Sequence, residues 1–196
     1  MDIKKKVIKL EDIKKDAEEM QCPVEKSLYL ITVFLKGPMC GRCFPCSMGC
    51  YEAKIILNNI IAGNSSNEEL KNLKRIADEV LISSLCKKGK DTAKFLLEWI
   101  DTGDFDKHIE GICPEKVCPE FIEYRIVSDK CTMCGDCLRA CKLGAIHGEE
   151  KKQFISGYQP FEIRQLKCTK CGDCIKVCPE KAIVLLDVKS GEPVKV

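Results

Sequence analysis

The sequence predicts two domains, an α-helical bundle followed by a small α+β domain. Apolar residues recur at helical spacing from residue 10 to about residue 110. The last third holds two copies of a cysteine-rich unit, 37 residues apart, flanked by short segments rich in β-branched residues. We expect the bundle to span residues 1–111, a connector marked by Pro114 and Pro119 to span 112–120, and the α+β domain to span 121–196.

Five apolar stripes predict five helices in the bundle. Ser66 and Glu69 have the spacing of a capping box and should open the fourth helix, while Gly103 should end the fifth. These stripes are core positions: Leu10, Ile13, Ala17 and Met20; Val24, Leu28, Ile31 and Leu35; Ala53, Ile56, Leu57 and Ile60; Leu70, Leu73, Ala77, Val80 and Leu81; Phe95, Leu96, Trp99 and Ile100.

Bulk composition favours metal binding by thiols. Sixteen of the 196 residues are cysteines, and the segment 1–20 mixes charges without the apolar core of a signal peptide. We therefore expect a cytoplasmic protein whose cysteines bind metal. The longest nearly uncharged apolar stretch, residues 27–35, is too short to cross a bilayer. A net charge of +2 and 6% aromatic residues argue against a nucleic-acid partner.

The repeated unit has the pattern C-x2-C-x2-C-x3-C, which indicates iron–sulfur clusters. In two-cluster ferredoxins the fourth cysteine of each unit ligates the other cluster, so we expect a ferredoxin-like domain with crossed ligands. One [4Fe–4S] cluster would be held by Cys131, Cys134, Cys137 and Cys178, and a second by Cys168, Cys171, Cys174 and Cys141. The alternative is two structural zinc sites, but zinc motifs usually supply separated pairs of ligands.

Two further features of the repeat concern its backbone and its charge. Gly135 and Gly172 should relieve crowding where the backbone approaches the clusters. The second unit ends Cys178-Pro179, as ferredoxins usually do, whereas the first ends Cys141-Lys142. A lysine at this position would raise the potential of the nearby cluster by stabilising its reduced, more negative state.

A third quartet in the bundle consists of Cys40, Cys43, Cys46 and Cys86, the last of which we place at the end of the fourth helix. This pattern resembles the C-terminal cluster domain of the NADH-binding flavoprotein subunit of complex I, and the matching subunits of NAD(P)-linked [FeFe]-hydrogenases and formate dehydrogenases. The resemblance implies a third [4Fe–4S] cluster, and in hydrogenase-type relatives a two-cluster ferredoxin domain follows. The flavin and NADH domains of those relatives are expected to be absent. The alternative for this quartet is again zinc.

Four cysteines remain, and three of them suit a zinc site. His108, Cys113 and Cys118 have tetrahedral N/S ligand spacing, with Cys22 or Cys50 as the fourth ligand. The resemblance to hydrogenase-type relatives, which carry a cysteine about 18 residues before the first cluster ligand, favours Cys22. The alternative is a set of buried free thiols beside a surface histidine.

These patterns predict an electron-transfer subunit without a catalytic centre of its own. It would relay electrons between a flavoprotein subunit, which oxidises NAD(P)H, and a catalytic metal centre or ferredoxin in a hydrogenase- or formate dehydrogenase-type complex. The expected cofactors are three [4Fe–4S] clusters and one Zn²⁺. The alternatives are a redox-sensing or adaptor protein, whose clusters regulate or staple a partner, and a stand-alone reductase, which would need its own flavin.

Overall fold

The computed structural model describes residues 9–151 and 159–194. The chain divides into two compact units, Met1–Cys118 and Pro119–Val196. Among the described residues the regular structure of the first unit is all helical, and the second unit combines two short α-helices and three 3-10 helices with two small sheets. No described helix has both the length and the apolar character needed to cross a membrane.

The first unit contains six α-helices within its described part. Helix α3 packs against α2 and α4, α5 packs against α4 and α2, and α1 packs against α2. Their bounds are α1 Leu10–Glu18, α2 Pro23–Lys36, α3 Phe44–Ile61, α4 Asn67–Ser83, α5 Lys87–Ile100 and α6 Asp104–Ile109. The capping box is present as predicted: the Glu69 amide donates to Ser66 Oγ, and the Ser66 amide donates to Glu69 Oε2.

The helical core follows most of the predicted stripes and departs from them in α2. That helix buries Val24 and Ile31 as predicted, but its inward face continues through Leu30 and Phe34, whereas Leu28 and Leu35 are only partly buried. The predicted face was rotated by about one residue because α2 is apolar on nearly all sides. Helix α6 was not predicted, since six residues are too few to show a helical period.

The second unit is built around two antiparallel strand pairs. Strand β1 (Ile122–Ile126) pairs with β4 (Ile183–Asp187), and the two-residue strands β2 (Ile146–His147) and β3 (Glu162–Ile163) pair with each other. Helices α7 (Asp136–Ala140) and α8 (Asp173–Val177) carry the repeat cysteines. One buried cluster unites these elements, and it contains Ile122, Tyr124, Ile146, Phe161, Ile183 and Leu185 together with Cys137 and Cys174.

The two repeats share a backbone as well as a sequence. Met133 and Lys170, which are equivalent in the 37-residue register, both have positive φ angles of 57° and 59°. Gly135 and Gly172 follow with φ of 80° and 76°, a conformation that glycine adopts without steric cost. Glycine is favoured at both positions because each lies in a left-handed turn immediately before α7 or α8.

Candidate metal centres

The eight repeat cysteines surround two cavities in the second unit, and each cavity draws on both repeats. One is lined by Cys131, Cys134, Cys137 and Cys178. The other is lined by Cys141, Cys168, Cys171 and Cys174. The structure therefore brings together the two crossed sets that the ferredoxin pattern predicts, with three cysteines from one repeat and the fourth from the other.

The local fold explains why each repeat can divide its cysteines between two cavities. The first cysteine of each repeat directly follows a short 3-10 helix, the second immediately precedes the left-handed glycine, the third lies at the start of α7 or α8, and the fourth follows the end of that helix. Each fourth sulfur accepts a backbone hydrogen bond, from the Ala145 amide to Cys141 Sγ at 3.3 Å and from the Ala182 amide to Cys178 Sγ at 3.3 Å. Such N–H donors fix the ligand and stabilise a thiolate.

The ligand atoms of these cavities are those that an iron–sulfur cluster requires. Each offers four sulfur atoms, free of disulfides, among apolar walls. The walls include one aromatic ring each, Tyr124 in one cavity and Phe161 in the other. Burial raises the pKa of the Tyr124 phenol, so its hydroxyl keeps its proton near neutral pH. The 37-residue register that relates Tyr124 to Phe161 would have revealed both residues from the sequence.

The bundle quartet lines a third cavity, in the first unit. Cys40, Cys43, Cys46 and Cys86 all border it. Cys43 is the N-cap of α3, Cys46 lies in the first turn of that helix, and Cys86 is the N-cap of α5. The predicted position of Cys86 at the end of α4 was wrong: α4 ends at Ser83, and Ser84 leaves the helix with extended backbone.

The N-termini of two helices, α3 and α5, thus lie beside the bundle cavity. Their partial positive charges favour an anionic group, and a cluster held by four thiolates is anionic. The buried Cys50 lies one turn after Cys46 on α3, and a hydrogen bond from its thiol lowers the pKa of Cys46 to about 6. Buried Ser84 lies beside Cys46, and its hydroxyl contributes to lowering the pKa of Cys46.

A fourth group of ligands lies elsewhere in the first unit. It consists of Cys22, His108, Cys113 and Cys118, all with no exposed surface and with their ligand atoms within 4.8 Å of one another. His108 Nε2 lies 3.2 Å from Cys22 Sγ and 3.5 Å from Cys118 Sγ, and the two sulfurs are 3.4 Å apart. Tetrahedral zinc would space its ligands by about 3.6–3.8 Å, so the donors and their separations fit that ion.

The chain arranges this group with short local structures. Cys22 is the N-cap of α2, and His108 lies in α6, whose C-terminal turn places Gly111 in a left-handed conformation. The His108 Nδ1–H donates to the Asp104 carbonyl at 2.8 Å, which leaves Nε2 directed at the sulfurs. Such an orienting acceptor is typical of metal-bound histidine. Of the two candidates for the fourth position, the structure groups Cys22 with the others and places Cys50 beside Cys46.

The close packing of His108 with three cysteines shifts the pKa values of this group. Burial by itself would lower the pKa of His108, but hydrogen bonds to the sulfurs of Cys113 and Cys22 raise it to about 10. Hydrogen bonds from the thiols of Cys118 and Cys22 hold the pKa of Cys113 well below its usual range. Cys113 is thus inclined to carry thiolate, the form that binds metal, whereas its hydrogen bond to Cys113 raises the pKa of the Cys118 thiol.

Comparison with known proteins is consistent with this arrangement of cysteines. Residues 27–110 match the NADH-ubiquinone oxidoreductase-F iron-sulfur binding region, and residues 130–183 match a 4Fe-4S dicluster domain. The NADP-reducing hydrogenase subunit HndC of Solidesulfovibrio fructosivorans is 30% identical over 138 residues, which cover 69% of this chain and 28% of that protein.

Two other relatives match shorter stretches. The NADP(+)-dependent formate dehydrogenase subunit beta of Moorella thermoacetica is 36% identical over 67 residues, or 34% of this chain and 10% of that protein. The F subunit of the NADH-quinone oxidoreductase of Mycobacterium tuberculosis (strain ATCC 25618 / H37Rv) is 29% identical over 96 residues, or 48% of this chain and 21% of that protein.

The chain spans less than a third of the length of each of these curated relatives. What it shares with them is the cluster-binding part that the cysteine motifs predict, so the predicted resemblance is confirmed. In this chain a segment that matches the NADH-ubiquinone oxidoreductase-F iron-sulfur binding region is followed by a segment that matches a 4Fe-4S dicluster domain.

Proposed function

We propose that this chain is an iron–sulfur electron-transfer subunit with three [4Fe–4S] clusters and one structural zinc ion. It relays electrons between a flavoprotein subunit and a catalytic metal centre or ferredoxin, and it has no catalytic centre of its own. The observation that carries the proposal is the grouping of twelve cysteines around three cavities, four to each. The similarity to subunits of a hydrogenase, a formate dehydrogenase and a quinone oxidoreductase supports the redox role.

Each cluster would supply one-electron chemistry with little rearrangement. The chain holds the ligands on rigid backbone and leaves one cysteine of each set exposed: Cys40, Cys134 and Cys171. The other ligands are buried or partly buried. An exposed ligand at each centre provides a short route for electrons to and from a partner, while apolar walls exclude water from the remainder.

A partner surface is also suggested beside the bundle cavity. Along one side of α3, starting next to the cluster ligand Cys43, the chain exposes four large apolar side chains: Phe44, Met48, Tyr51 and Ile55. A row of exposed apolar residues of this kind typically marks a protein interface. We therefore place the contact with one partner subunit at this face, next to the exposed ligand Cys40.

The zinc site has a structural role in this proposal. Zinc has no redox chemistry, and four protein ligands leave no open position for a substrate. Cys22, His108, Cys113 and Cys118 would fasten the start of α2 to α6 and to the segment that follows α6.

Metal analysis tests the cofactor content. Anaerobically prepared chain should contain about twelve irons and one zinc, from three cluster sets and one zinc set. Eight irons would remove the bundle cluster from the proposal. Twelve irons without zinc would contradict the zinc site but would not affect the proposal of three clusters.

Electron transfer is tested on the same preparation. The isolated chain should accept electrons from dithionite but not from NADH or NADPH, and turnover with a nucleotide should require an added flavoprotein partner. Cys86→Ser should interrupt that flow, whereas Leu85→Ser, a change at the exposed neighbouring residue, should not. NADH oxidation by the isolated chain would instead indicate a reductase. Normal flow in a Cys86→Ser variant that lacks its cluster would favour the adaptor function.

A further inference from the structure

The two cavities of the second unit have nearly the same lining, and three of the differences between them have the same electrostatic sign. The residues around Cys168 correspond position by position, in the 37-residue register, to those around Cys131. The four cysteines of each cavity, its threonine, glycine, alanine and two isoleucines are identical in the two copies. Asp173 borders only one cavity, but it is paired with Lys176, as its equivalent Asp136 is paired with Arg139.

Three of the corresponding positions differ. The cavity of Cys168 is lined by Tyr124, Lys142 and Leu143, and that of Cys131 by their register equivalents Phe161, Pro179 and Glu180. The first cavity thus has a hydroxyl donor and a positive charge that the second lacks. The second has a negative charge where the first has an apolar side chain.

The Tyr124 hydroxyl is well placed to act on the first cavity. Tyr124 is buried, and its Oη lies 3.2 Å from the position that a Cβ would take at Gly172, between ligands Cys171 and Cys174. No described residue accepts a hydrogen bond from it. Phe161 lies equally buried at the other cavity but has no polar atom to offer.

We propose that these three differences make the two clusters of the second unit unequal, with the higher reduction potential at the cluster held by Cys141, Cys168, Cys171 and Cys174. The inference rests on the proposed binding of clusters in both cavities. Reduction adds one negative charge, so a hydrogen bond to sulfur and a nearby cation stabilise the reduced state, and a nearby carboxylate opposes it. A single electron that enters this unit therefore resides mainly at the Cys168 cluster.

The sizes of these effects differ with burial. Tyr124 acts from a buried position, whereas Lys142 and Glu180 are exposed and are screened by water and salt. Loss of one donor or charge should change the ratio of reduced to oxidised cluster at a fixed solution potential by about threefold to tenfold. A tenfold change corresponds to about 59 mV for a one-electron couple.

The test is a potentiometric titration of the whole chain with dithionite, followed by electron paramagnetic resonance, after iron analysis. The wild type should give separate reduction waves for the two clusters of the second unit. Tyr124→Phe and Lys142→Gln should each lower the same wave, the one at higher potential, and Lys142→Arg should leave it in place. Phe161→Tyr and Glu180→Gln should each raise the other wave. The wave of the bundle cluster serves as the internal reference and should not move.

Coincident waves in the wild type would overturn the inference, and so would a shift of different waves by Tyr124→Phe and Lys142→Gln. Both outcomes would leave cluster binding intact. Iron analysis separates them from a failure of the proposed function, because a chain without eight irons in this unit would refute the clusters and, with them, their inequality.

Discussion

A methyl group added at Gly89 should disturb the bundle cluster selectively. Gly89 is buried in the first turn of α5, and a Cβ there would lie 2.5 Å from Ser84 Oγ, 2.9 Å from Ser84 Cβ and 3.1 Å from Cys46 Sγ. Carbon atoms in favourable contact are about 3.5–4.0 Å apart, so α5, Ser84 or the ligand Cys46 must move by several tenths of an ångström. Gly89→Ala therefore pushes directly on a proposed cluster ligand.

The magnitude follows from two opposing contributions. Overpacking typically costs about 1–3 kcal/mol, while replacing glycine by alanine in a helix stabilises by up to about 1 kcal/mol. A net strain of about 1–2 kcal/mol that is relieved when Cys46 leaves the cluster would accelerate iron loss by about tenfold. The assay is the rate of cluster bleaching in the presence of an iron chelator under anaerobic conditions.

Gly49 in α3 provides the matched control. A Cβ at Gly49 would lie 2.6 Å from Val80 Cγ2 and 3.3 Å from Ile76 Cγ2, so the alanine variant is overpacked to a similar degree but does not contact Cys46. Gly49→Ala should lower the free energy of unfolding yet leave the rate of bleaching near that of the wild type. Equal bleaching rates in the two variants, or a wild-type rate in Gly89→Ala, would refute the reasoning.

Three further predictions concern the other centres. Cys141→Ala should abolish the spectroscopic signal of the cluster in the cavity of Cys168, and Cys178→Ala that of the cluster in the cavity of Cys131; loss of the cluster of the same repeat would contradict the crossed ligands. His108→Ala should remove zinc and lower the thermal stability of the first unit without loss of iron, so parallel loss of both metals would contradict independent sites. Removal of all iron by a chelator should abolish the hydrogen-exchange protection of amides in strands β1 and β4, while the amides of α4 stay protected. Equal loss of protection in the strands and in α4 would contradict the idea that only the fold of the second unit depends on its clusters.

The sequence was most informative where a residue type has few alternative uses. Cysteine spacing, together with the family resemblance for the bundle quartet, grouped the twelve cysteines as the structure groups them, because thiolates at these intervals have little other purpose in a chain that avoids disulfides. The capping box that opens α4 was also readable, since Ser66 and Glu69 satisfy each other's amides through purely local contacts. Both the repeat spacing and the capping box depend on neighbours close in the chain.

Where tertiary packing decides the outcome, the sequence was less informative. The inward face of α2 could not be chosen correctly because Leu28 and Leu30 are equally apolar, and only the neighbouring helices select between them. Strands β2 and β3 are two residues long, too short for an alternating pattern to show. Spacing alone left Cys22 and Cys50 open as the fourth ligand, and only the family resemblance favoured Cys22, which the structure groups with His108.

The two units place their cysteines differently with respect to their cores. In the first unit the apolar core is formed by residues such as Leu57, Leu73 and Phe105, and of the four cluster ligands only Cys46 is buried with them. In the second unit Cys137 and Cys174 belong to the core itself, and the remaining repeat cysteines except the two exposed ones pack against it.

Without clusters, those thiols would surround cavities in a unit of fewer than 80 residues, a size at which a single core gives little stability. In addition, Met133 and Lys170 have left-handed conformations, which cost energy for any residue with a Cβ, and both lie between the first and third cysteines of their repeats. Metal binding would offset both costs, so the clusters of the second unit would serve as part of its core, whereas the first unit has an apolar core to which only one of its four cluster ligands belongs.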